Sequence, residues 1–204
     1  MPLPNNLWSE EILDVISTAL LNQGYIVLEH ALPAELVNRL QIEANKISDE
    51  AFAQAAIGRG PDQINDTSVR TDSIYWVNEP SETASSYLAY TEGLRQGLNS
   101  RLFLGLFDYE CQYACYAPGA FYKLHSDSFP GRRNRILSSV LYLNTDWQPD
   151  DGGQLVLYAA DEVSQLEIIR PQLNTLVLFL SERFPHEVLT ARRTRYSLTG
   201  WFRV

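Results

Sequence analysis

The chain has 204 residues, 45% of them hydrophobic and 20% charged, a composition that fits a folded globular protein and excludes a disordered one. Its formal net charge of −9 provides no overall positive field for nucleic acid or an anionic membrane. The sequence shows no signal-peptide pattern and no apolar run near the roughly 18 residues of a membrane span. We therefore expect a cytoplasmic protein that binds neither nucleic acid nor a membrane. The length favours a single domain, residues 1–204, over two small ones.

Helices dominate the prediction for the N-terminal half. Ser9 is a suitable N-cap for a first helix and Gly24 a suitable end. Pro33 favours the start of a second helix, and Ser81 can cap a third. The predicted elements, in chain order, are a helix over residues 9–23, a strand over 25–28, a helix from 33 to about 47, a turn-rich mobile loop over 58–71 and a helix from 81 to about 99.

The C-terminal half changes to short runs of β-branched and aromatic residues bounded by Gly, Pro, Asn or Asp. This spacing is typical of antiparallel sheets rather than alternating strands and helices. We therefore predict an α+β fold, a double-stranded β-helix (jelly roll) over about 106–204 supported by N-terminal helices over about 1–105. The predicted strands are residues 109–116, 136–143, 154–158, 165–169, 174–180 and 196–203.

The two cysteines, Cys111 and Cys115, both lie in the first of these predicted strands. Four residues of strand separate two Cα atoms by roughly 13 Å, which is too far for a disulfide. We therefore expect two reduced thiols, as in a cytoplasmic protein.

Two of the three histidines suggest a metal site. His125 and Asp127 are two positions apart, so in an extended chain their side chains point to the same face. His186 follows a predicted strand that could return to the same point. Two histidines and one carboxylate form the facial triad of non-haem Fe(II), which leaves positions open for substrate and oxygen. His30 has no such neighbour and is interpreted as structural.

Arg195 opens a strand that is predicted to face the core. A buried arginine is costly unless it meets an anion, and a dicarboxylic cosubstrate would supply one through a bidentate pair. Tyr142 could donate a second hydrogen bond to that carboxylate. The arginines also form two clusters, which are either solvated loop faces or a local anion site: Arg132, Arg133 and Arg135, and Arg192, Arg193 and Arg195.

Several motifs, in this order, resemble the prolyl hydroxylase branch of the 2-oxoglutarate oxygenases, which includes the oxygen-sensing hydroxylases of animals and their bacterial counterparts. The stretch Val69-Arg-Thr-Asp-Ser-Ile-Tyr-Trp resembles the end of that family's mobile substrate loop. The other matching stretches are Cys115-Tyr-Ala-Pro-Gly, Tyr122-Lys-Leu-His-Ser-Asp, Leu141-Tyr-Leu-Asn, Asp151-Gly-Gly-Gln-Leu, Pro185-His-Glu-Val and Arg195-Tyr-Ser-Leu-Thr-Gly-Trp.

The resemblance implies a role for each matching residue. His125, Asp127 and His186 would bind iron. Two departures from the family pattern are Thr71, in the substrate loop, and Ala117, in the turn after Tyr116. The residues implied at the 2-oxoglutarate pocket are Arg195, Tyr142, Tyr116, Tyr122 and Thr199, and those implied at the border of the peptide substrate are Arg70, Asp72, Trp76, Arg135 and Trp201.

The resemblance also implies the reaction. Fe(II), 2-oxoglutarate and O2 would hydroxylate a proline of a protein substrate with release of succinate and CO2, with ascorbate as reductant, and the enzyme would act as a monomer. Elongation factor Tu is the candidate substrate that the bacterial members suggest. Three alternatives stay open: the same chemistry on another side chain or a small molecule, a non-catalytic metal-containing binding module, and a cupin-like Zn or Mn enzyme.

Overall fold

The computed structural model describes residues 8–55, 66–128 and 134–204. Three α-helices lie where the sequence predicts them: α1 (Glu10–Asn22), α2 (Ala34–Lys46) and α3 (Glu82–Leu102). The predicted caps are present, since the Ser9 hydroxyl accepts from the Ile12 amide at 3.3 Å and the Ser81 hydroxyl from the Ala84 amide at 3.0 Å. In these ranges no helix has the length and apolar character to cross a membrane.

Eleven strands in the described ranges form two antiparallel sheets. The larger sheet has the order β1-β9-β6-β11-β4-β3-β2, and the smaller has the order β5-β10-β7-β8. The predicted α+β jelly roll is confirmed. The strands are β1 (Tyr25–Leu28), β2 (Ala53–Gln54), β3 (Ser73–Trp76), β4 (Asp108–Tyr116), β5 (Tyr122–His125), β6 (Arg135–Tyr142), β7 (Leu155–Tyr158), β8 (Gln165–Ile169), β9 (Leu176–Leu180), β10 (His186–Val188) and β11 (Arg195–Arg203).

Strand β11 shows how the larger sheet separates two cores. Because side chains alternate across a strand, Leu198 and Phe202 face the helices and join an apolar cluster with α1, α2 and α3. Arg195 and Ser197 face the other side, where a second cluster contains residues of both sheets, such as Val140. The polar residues of β11 therefore point into the space between the sheets.

Several short strands were not predicted. Strands β2, β3, β5 and β10, which have two to four residues each, are absent from the predicted set. The N-terminal part also gives β1, β2 and β3 to the larger sheet, so it is more than helical support. Both cysteines are free within β4, as expected. The single-domain interpretation stays a prediction, and residues 58–65 of the predicted mobile loop lie outside the described ranges.

Candidate metal centre and cosubstrate site

Strand pairing brings the two predicted histidine ligands together. His125 ends β5 and His186 begins β10, and the two residues are direct partners in this antiparallel pair. Their ring centroids are 4.2 Å apart. Asp127 lies in a bend just after β5, so its carboxylate comes from a turn rather than from the extended chain that the sequence suggested. One ligand atom from each of the three residues lies within 4.8 Å of the others.

Backbone carbonyls orient both imidazoles. His125 Nδ1 lies 2.8 Å from the Lys123 carbonyl oxygen, and His186 Nδ1 lies 3.0 Å from the Phe184 carbonyl oxygen. A carbonyl only accepts, so each Nδ1 carries the proton and each Nε2 keeps its lone pair for a metal. His186 Nε2 lies 3.7 Å from Asp127 Oδ2, so this nitrogen faces the Asp127 carboxylate.

The protonation states also suit a metal. Burial lowers the pKa of His125 to about 3, and the neighbouring His186 adds to this effect, so His125 is neutral near pH 7. Burial by itself would raise the pKa of Asp127, but His186, His125 and Arg135 outweigh it. A hydrogen bond of 2.7 Å from the Ser138 hydroxyl to Asp127 Oδ2 also contributes, and the Asp127 pKa falls to about 2. A neutral His125 imidazole and an ionised Asp127 carboxylate are therefore available together.

Arg195 is a buried cation with no ion-pair partner in the described part of the chain. Only 2% of the residue is exposed. Its Nε donates to the Gly153 carbonyl at 3.0 Å and its Nη1 to the Ser197 hydroxyl at 3.4 Å. Its guanidinium carbon lies 4.7 Å from the ring centroid of Tyr116 and 5.0 Å from that of Tyr142. Among the described residues no carboxylate forms an ion pair with it. A ligand carboxylate would complete this arrangement.

The hydroxyl of Tyr142 is a second unsatisfied group at this point. It is buried and has no hydrogen-bond partner in the part of the chain that the structure describes. Burial raises the pKa of Tyr142 to about 12 while Arg195 opposes the rise, so the phenol keeps its proton and can donate. Burial also raises the pKa of the neighbouring Tyr116. Thr199 lies further along the same face of β11, with its hydroxyl 3.3 Å from that of Ser197.

Tyr122 contacts the metal site rather than Arg195. Its ring is stacked on the His125 imidazole, with centroids 3.5 Å apart. The Arg70 guanidinium carbon lies 4.1 Å from the centroid of the same phenol ring. Arg70 in turn forms a bidentate pair with buried Asp72, at 2.8 and 2.6 Å. Two residues that the resemblance places at the substrate border therefore support a metal-ligand ring through Tyr122.

Thr71, the departure from the family pattern, ties the loop end to the strand that carries His125. Its amide donates to the Phe121 carbonyl at 3.0 Å, and its hydroxyl accepts from the Phe121 amide at 3.1 Å. The Lys123 amide continues this contact by donating to the Val69 carbonyl at 2.8 Å. The segment just before β3 is thus hydrogen-bonded to β5.

The other predicted border residues form a separate group beyond the metal site. The rings of Trp76 and Trp201 are 6.2 Å apart, and the Arg135 guanidinium carbon lies 3.5 Å from the centroid of the Trp201 ring. A cavity of about 420 Å³ lies beside this group, lined by Arg135, Ile136, Leu180, Glu182 and Arg183. The predicted residues therefore divide into an Arg70–Asp72 pair before β3 and an aromatic group that includes Trp76 at the end of β3.

Three residues with direct contacts to this site were not predicted. Ser138 binds Asp127, Gly153 binds Arg195, and Glu110 binds Arg135. The alternation of β6 could have indicated Ser138, because it lies four residues before Tyr142 on the same face. The other two contacts bring together residues far apart in the sequence, and no local pattern indicates them.

Comparisons with known proteins agree with this geometry. The model of the 2OG-Fe(II) oxygenase superfamily matches residues 111–203. Human Egl nine homolog 1 is 28% identical over an alignment that covers 93% of this chain and 46% of that protein. The hypoxia-inducible factor prolyl hydroxylase of Caenorhabditis elegans is 27% identical over an alignment that covers 88% of this chain and 26% of that protein. The chain thus spans half or less of these two relatives.

Solved structures cover the chain more fully. A prolyl hydroxylase from Trichoplax adhaerens, in complex with a peptide of hypoxia inducible factor, is 27% identical with a TM-score of 0.78, covering 95% of this chain and 90% of that one. A prolyl-4-hydroxylase from Pseudomonas putida is 42% identical with a TM-score of 0.84, covering 94% of this chain and 98% of that one. The chain belongs to the 2OG-Fe(II) oxygenase superfamily. The family resemblance seen in the sequence is confirmed.

The side chains fit the two groups for which the superfamily is named. The triad supplies two nitrogen ligands and one oxygen ligand, a set typical of Fe(II) oxygenases with open coordination positions. Arg195 and Tyr142 supply a buried cation and an unsatisfied donor, which match a carboxylate of 2-oxoglutarate. As a 2OG-Fe(II) oxygenase, the chain therefore has residues suited to both the metal and the cosubstrate.

Proposed function

We propose that this chain is an Fe(II)- and 2-oxoglutarate-dependent dioxygenase that hydroxylates a prolyl residue of a protein substrate and releases succinate and CO2. The observation that carries the proposal is Arg195. A guanidinium that is 2% exposed, faces the same intersheet space as the triad and has no carboxylate partner among the described residues needs a ligand anion. A non-catalytic binding module with a structural metal would not require a buried guanidinium of this kind.

In this proposal the residues of the chain hold and orient the metal and 2-oxoglutarate. Iron(II) with 2-oxoglutarate supplies the oxidative decarboxylation that couples O2 to C–H hydroxylation. His125, Asp127 and His186 would hold the metal, and the carbonyls of Lys123 and Phe184 keep both Nε2 atoms directed at it.

Arg195 and Tyr142 would hold the far carboxylate of 2-oxoglutarate. With a pKa of about 12, Tyr142 stays protonated at neutral pH and donates a hydrogen bond. The apolar cluster between the sheets excludes water from the reacting groups. In this proposal Tyr116 and Thr199 line the same pocket, as the resemblance implies.

The named relatives support proline as the target. The Pseudomonas putida structure is a prolyl-4-hydroxylase, and the Trichoplax adhaerens prolyl hydroxylase was solved with a peptide fragment of hypoxia inducible factor. Arg70, Asp72, Trp76, Arg135 and Trp201 would border such a peptide. Elongation factor Tu as the substrate stays a prediction. Four further points also stay predictions: ascorbate as reductant, the monomeric state, the cytoplasmic location and the lack of nucleic-acid and membrane partners.

Anaerobic titration of the apoprotein with Fe(II) and then 2-oxoglutarate tests the cofactor proposal. We expect a visible metal-to-ligand charge-transfer band. His125→Ala should remove this band. Arg195→Ala should raise the 2-oxoglutarate concentration at which the band appears. Absence of a band from the wild-type protein would favour the non-catalytic binding module. Activity with Zn(II) or Mn(II) in place of Fe(II) would favour the cupin-like alternative.

Mass spectrometry of proteins trapped from a lysate tests the substrate proposal. We expect one added oxygen on a proline, produced only with 2-oxoglutarate and O2. Oxygen on another residue type, or on a small molecule, would reject the prolyl assignment and leave the dioxygenase chemistry in place. His125→Ala is the control for oxidation that the enzyme does not catalyse.

A further inference from the structure

Glu110 lies between two arginines at the border of the aromatic group. Arg135 donates to Glu110 Oε1 from Nε at 3.0 Å and from Nη2 at 2.8 Å. Arg203 donates to Glu110 Oε2 from Nη1 at 2.7 Å. Arg135 and Arg203 are direct partners in the pairing of β6 with β11, so two like charges lie side by side. Glu110 offsets their repulsion.

Arg203 has a second, independent anchor. Asp108 accepts from its Nε at 2.8 Å and from its Nη2 at 2.6 Å. Arg203 would therefore stay in place without Glu110. In these four side chains two positive charges meet two negative charges, which gives a local net charge of zero. Within these four side chains, Glu110 is the carboxylate that accepts hydrogen bonds from Arg135.

Arg135 is the member of this cluster that meets the candidate substrate surface. Its guanidinium carbon lies 3.5 Å from the centroid of the Trp201 ring, and Arg135 also lines the 420 Å³ cavity. Trp201 Nε1 is buried and has no hydrogen-bond partner within the described ranges. A carbonyl oxygen of a bound peptide would satisfy this donor. The position and charge of Arg135 therefore affect whatever chain binds here.

We propose that Glu110 determines the charge specificity of the peptide cleft, by holding Arg135 on Trp201 and neutralising it. This inference rests on the proposed prolyl hydroxylase function for its substrate. With Glu110 in place, the cleft selects a proline flanked by uncharged residues and gains nothing from acidic ones. Without Glu110, the same arginine becomes an attractive site for an acidic flanking residue.

Fluorescence quenching measures the charge of this surface without any turnover. Trp76 contacts Trp201 and is 36% exposed, while the other three tryptophans are buried, so Trp76 is the one most accessible to a quencher. Iodide quenching divided by acrylamide quenching reports the charge near an indole, and the difference between each protein and its Trp76→Phe version isolates this ring. In Glu110→Gln we expect the ratio to rise roughly twofold at low salt, because one added positive charge attracts iodide.

Glu92→Gln is the matched control. It also removes a carboxylate bound by an arginine, Arg95, but on helix α3. We expect its quenching ratio and its activity to equal those of the wild type. An unchanged ratio in Glu110→Gln, or an equal rise in Glu92→Gln, overturns the proposal. Thermal unfolding of both variants shows whether they are folded.

Peptide kinetics test the specificity itself. Two peptides share one target proline and differ only in neutral or acidic flanking residues. In Glu110→Gln we expect the KM for the acidic peptide, relative to the neutral one, to fall severalfold and to recover at high salt. An unaltered KM ratio, or an equal loss of kcat for both peptides, would contradict the proposal. If wild type hydroxylates neither peptide while the quenching ratio behaves as expected, the prolyl function fails and the charge role of Glu110 stands.

Discussion

The Tyr122 ring lies flat against the His125 imidazole, with centroids 3.5 Å apart and planes inclined by 12°. Arg70 also contacts the phenol ring, and Lys123 fixes the imidazole through Nδ1. The direction of the His125 ligand atom is therefore set by one stack and one hydrogen bond. Tyr122 is thus a supporting residue for the metal as well as a predicted member of the cosubstrate pocket.

Replacing Tyr122 tests this support. Tyr122→Leu removes the stack, and we expect Fe(II) affinity to fall by about 2- to 12-fold, from the 0.5–1.5 kcal/mol of an aromatic pair. Tyr122→Phe keeps the stack and should bind Fe(II) like the wild type. Anaerobic Fe(II) titration measures both. Equal affinity for the Leu and Phe variants would show that the stack does not orient His125.

Gly153 provides a test of how Arg195 is positioned. A Cβ at Gly153 would lie 3.1 Å from Arg195 Cδ, and the Gly153 carbonyl is the acceptor for Arg195 Nε. Gly153→Ala should therefore displace the guanidinium and raise the KM for 2-oxoglutarate by about tenfold, as expected for a weakened hydrogen bond to a charged group. Steady-state assays with varied 2-oxoglutarate measure this effect.

Gly119→Ala separates that effect from backbone strain. Both glycines have a positive φ, but a Cβ at Gly119 would have nothing within 4 Å. Both variants should lose about 1–2 kcal/mol of unfolding free energy. Only Gly153→Ala should change the KM. A similar KM change in both variants would assign the effect to strain.

Ser138 holds the carboxylate ligand. Its hydroxyl donates to Asp127 Oδ2 at 2.7 Å, and residues that orient metal ligands commonly affect affinity by 10- to 100-fold. We expect Ser138→Ala to weaken Fe(II) binding by about tenfold in an anaerobic titration. Ser139→Ala is the control, since Ser139 bonds to Tyr109 on the helix-facing side of β6. Weakening by both variants alike would point to a general loss of packing.

The sequence predicted the parts of this molecule that depend on local pattern. Ser9 and Ser81 as caps, the strand at Tyr25–Leu28 and the long strands β4 and β11 follow from residue chemistry and periodicity. The burial of Arg195 was also expected, because an arginine at the start of a core-facing strand needs an anion. These features require no knowledge of distant contacts.

The rest depends on tertiary contacts that local pattern does not encode. The pairing of Glu110 with Arg135 needs β4 and β6 to lie on either side of β11. The stack of Arg70 on Tyr122 needs the segment before β3 to meet β5. Family resemblance named Arg70 and Tyr122 as site residues, but it did not indicate that they touch.

The unfolding free energy of the apoprotein depends on pH at acid values because the pKa of His125 is lowered in the folded chain. Its pKa is lowered to about 3 in the folded chain, against an unfolded value of about 6.5, so the unfolded state binds the extra proton. The resulting stability is complete above about pH 6.5 and is lost as the pH falls toward 3. Denaturant titrations across this range should show a smaller loss in His125→Asn. A full pH slope in His125→Asn would contradict the assignment.

Thr71 connects the substrate-loop end to β5 through the Phe121 amide, which donates to its hydroxyl at 3.1 Å. Thr71→Val keeps the shape of the side chain and removes this acceptor, at a cost of about 1 kcal/mol. Hydrogen exchange of the Phe121 amide should become about fivefold faster. The KM for the protein substrate should rise while Fe(II) and 2-oxoglutarate affinities stay the same, because the change lies on the loop side of β5. Thr67→Val, at an exposed threonine nearby, should have neither effect; if the two variants exchange alike, Thr71 does not hold the loop end.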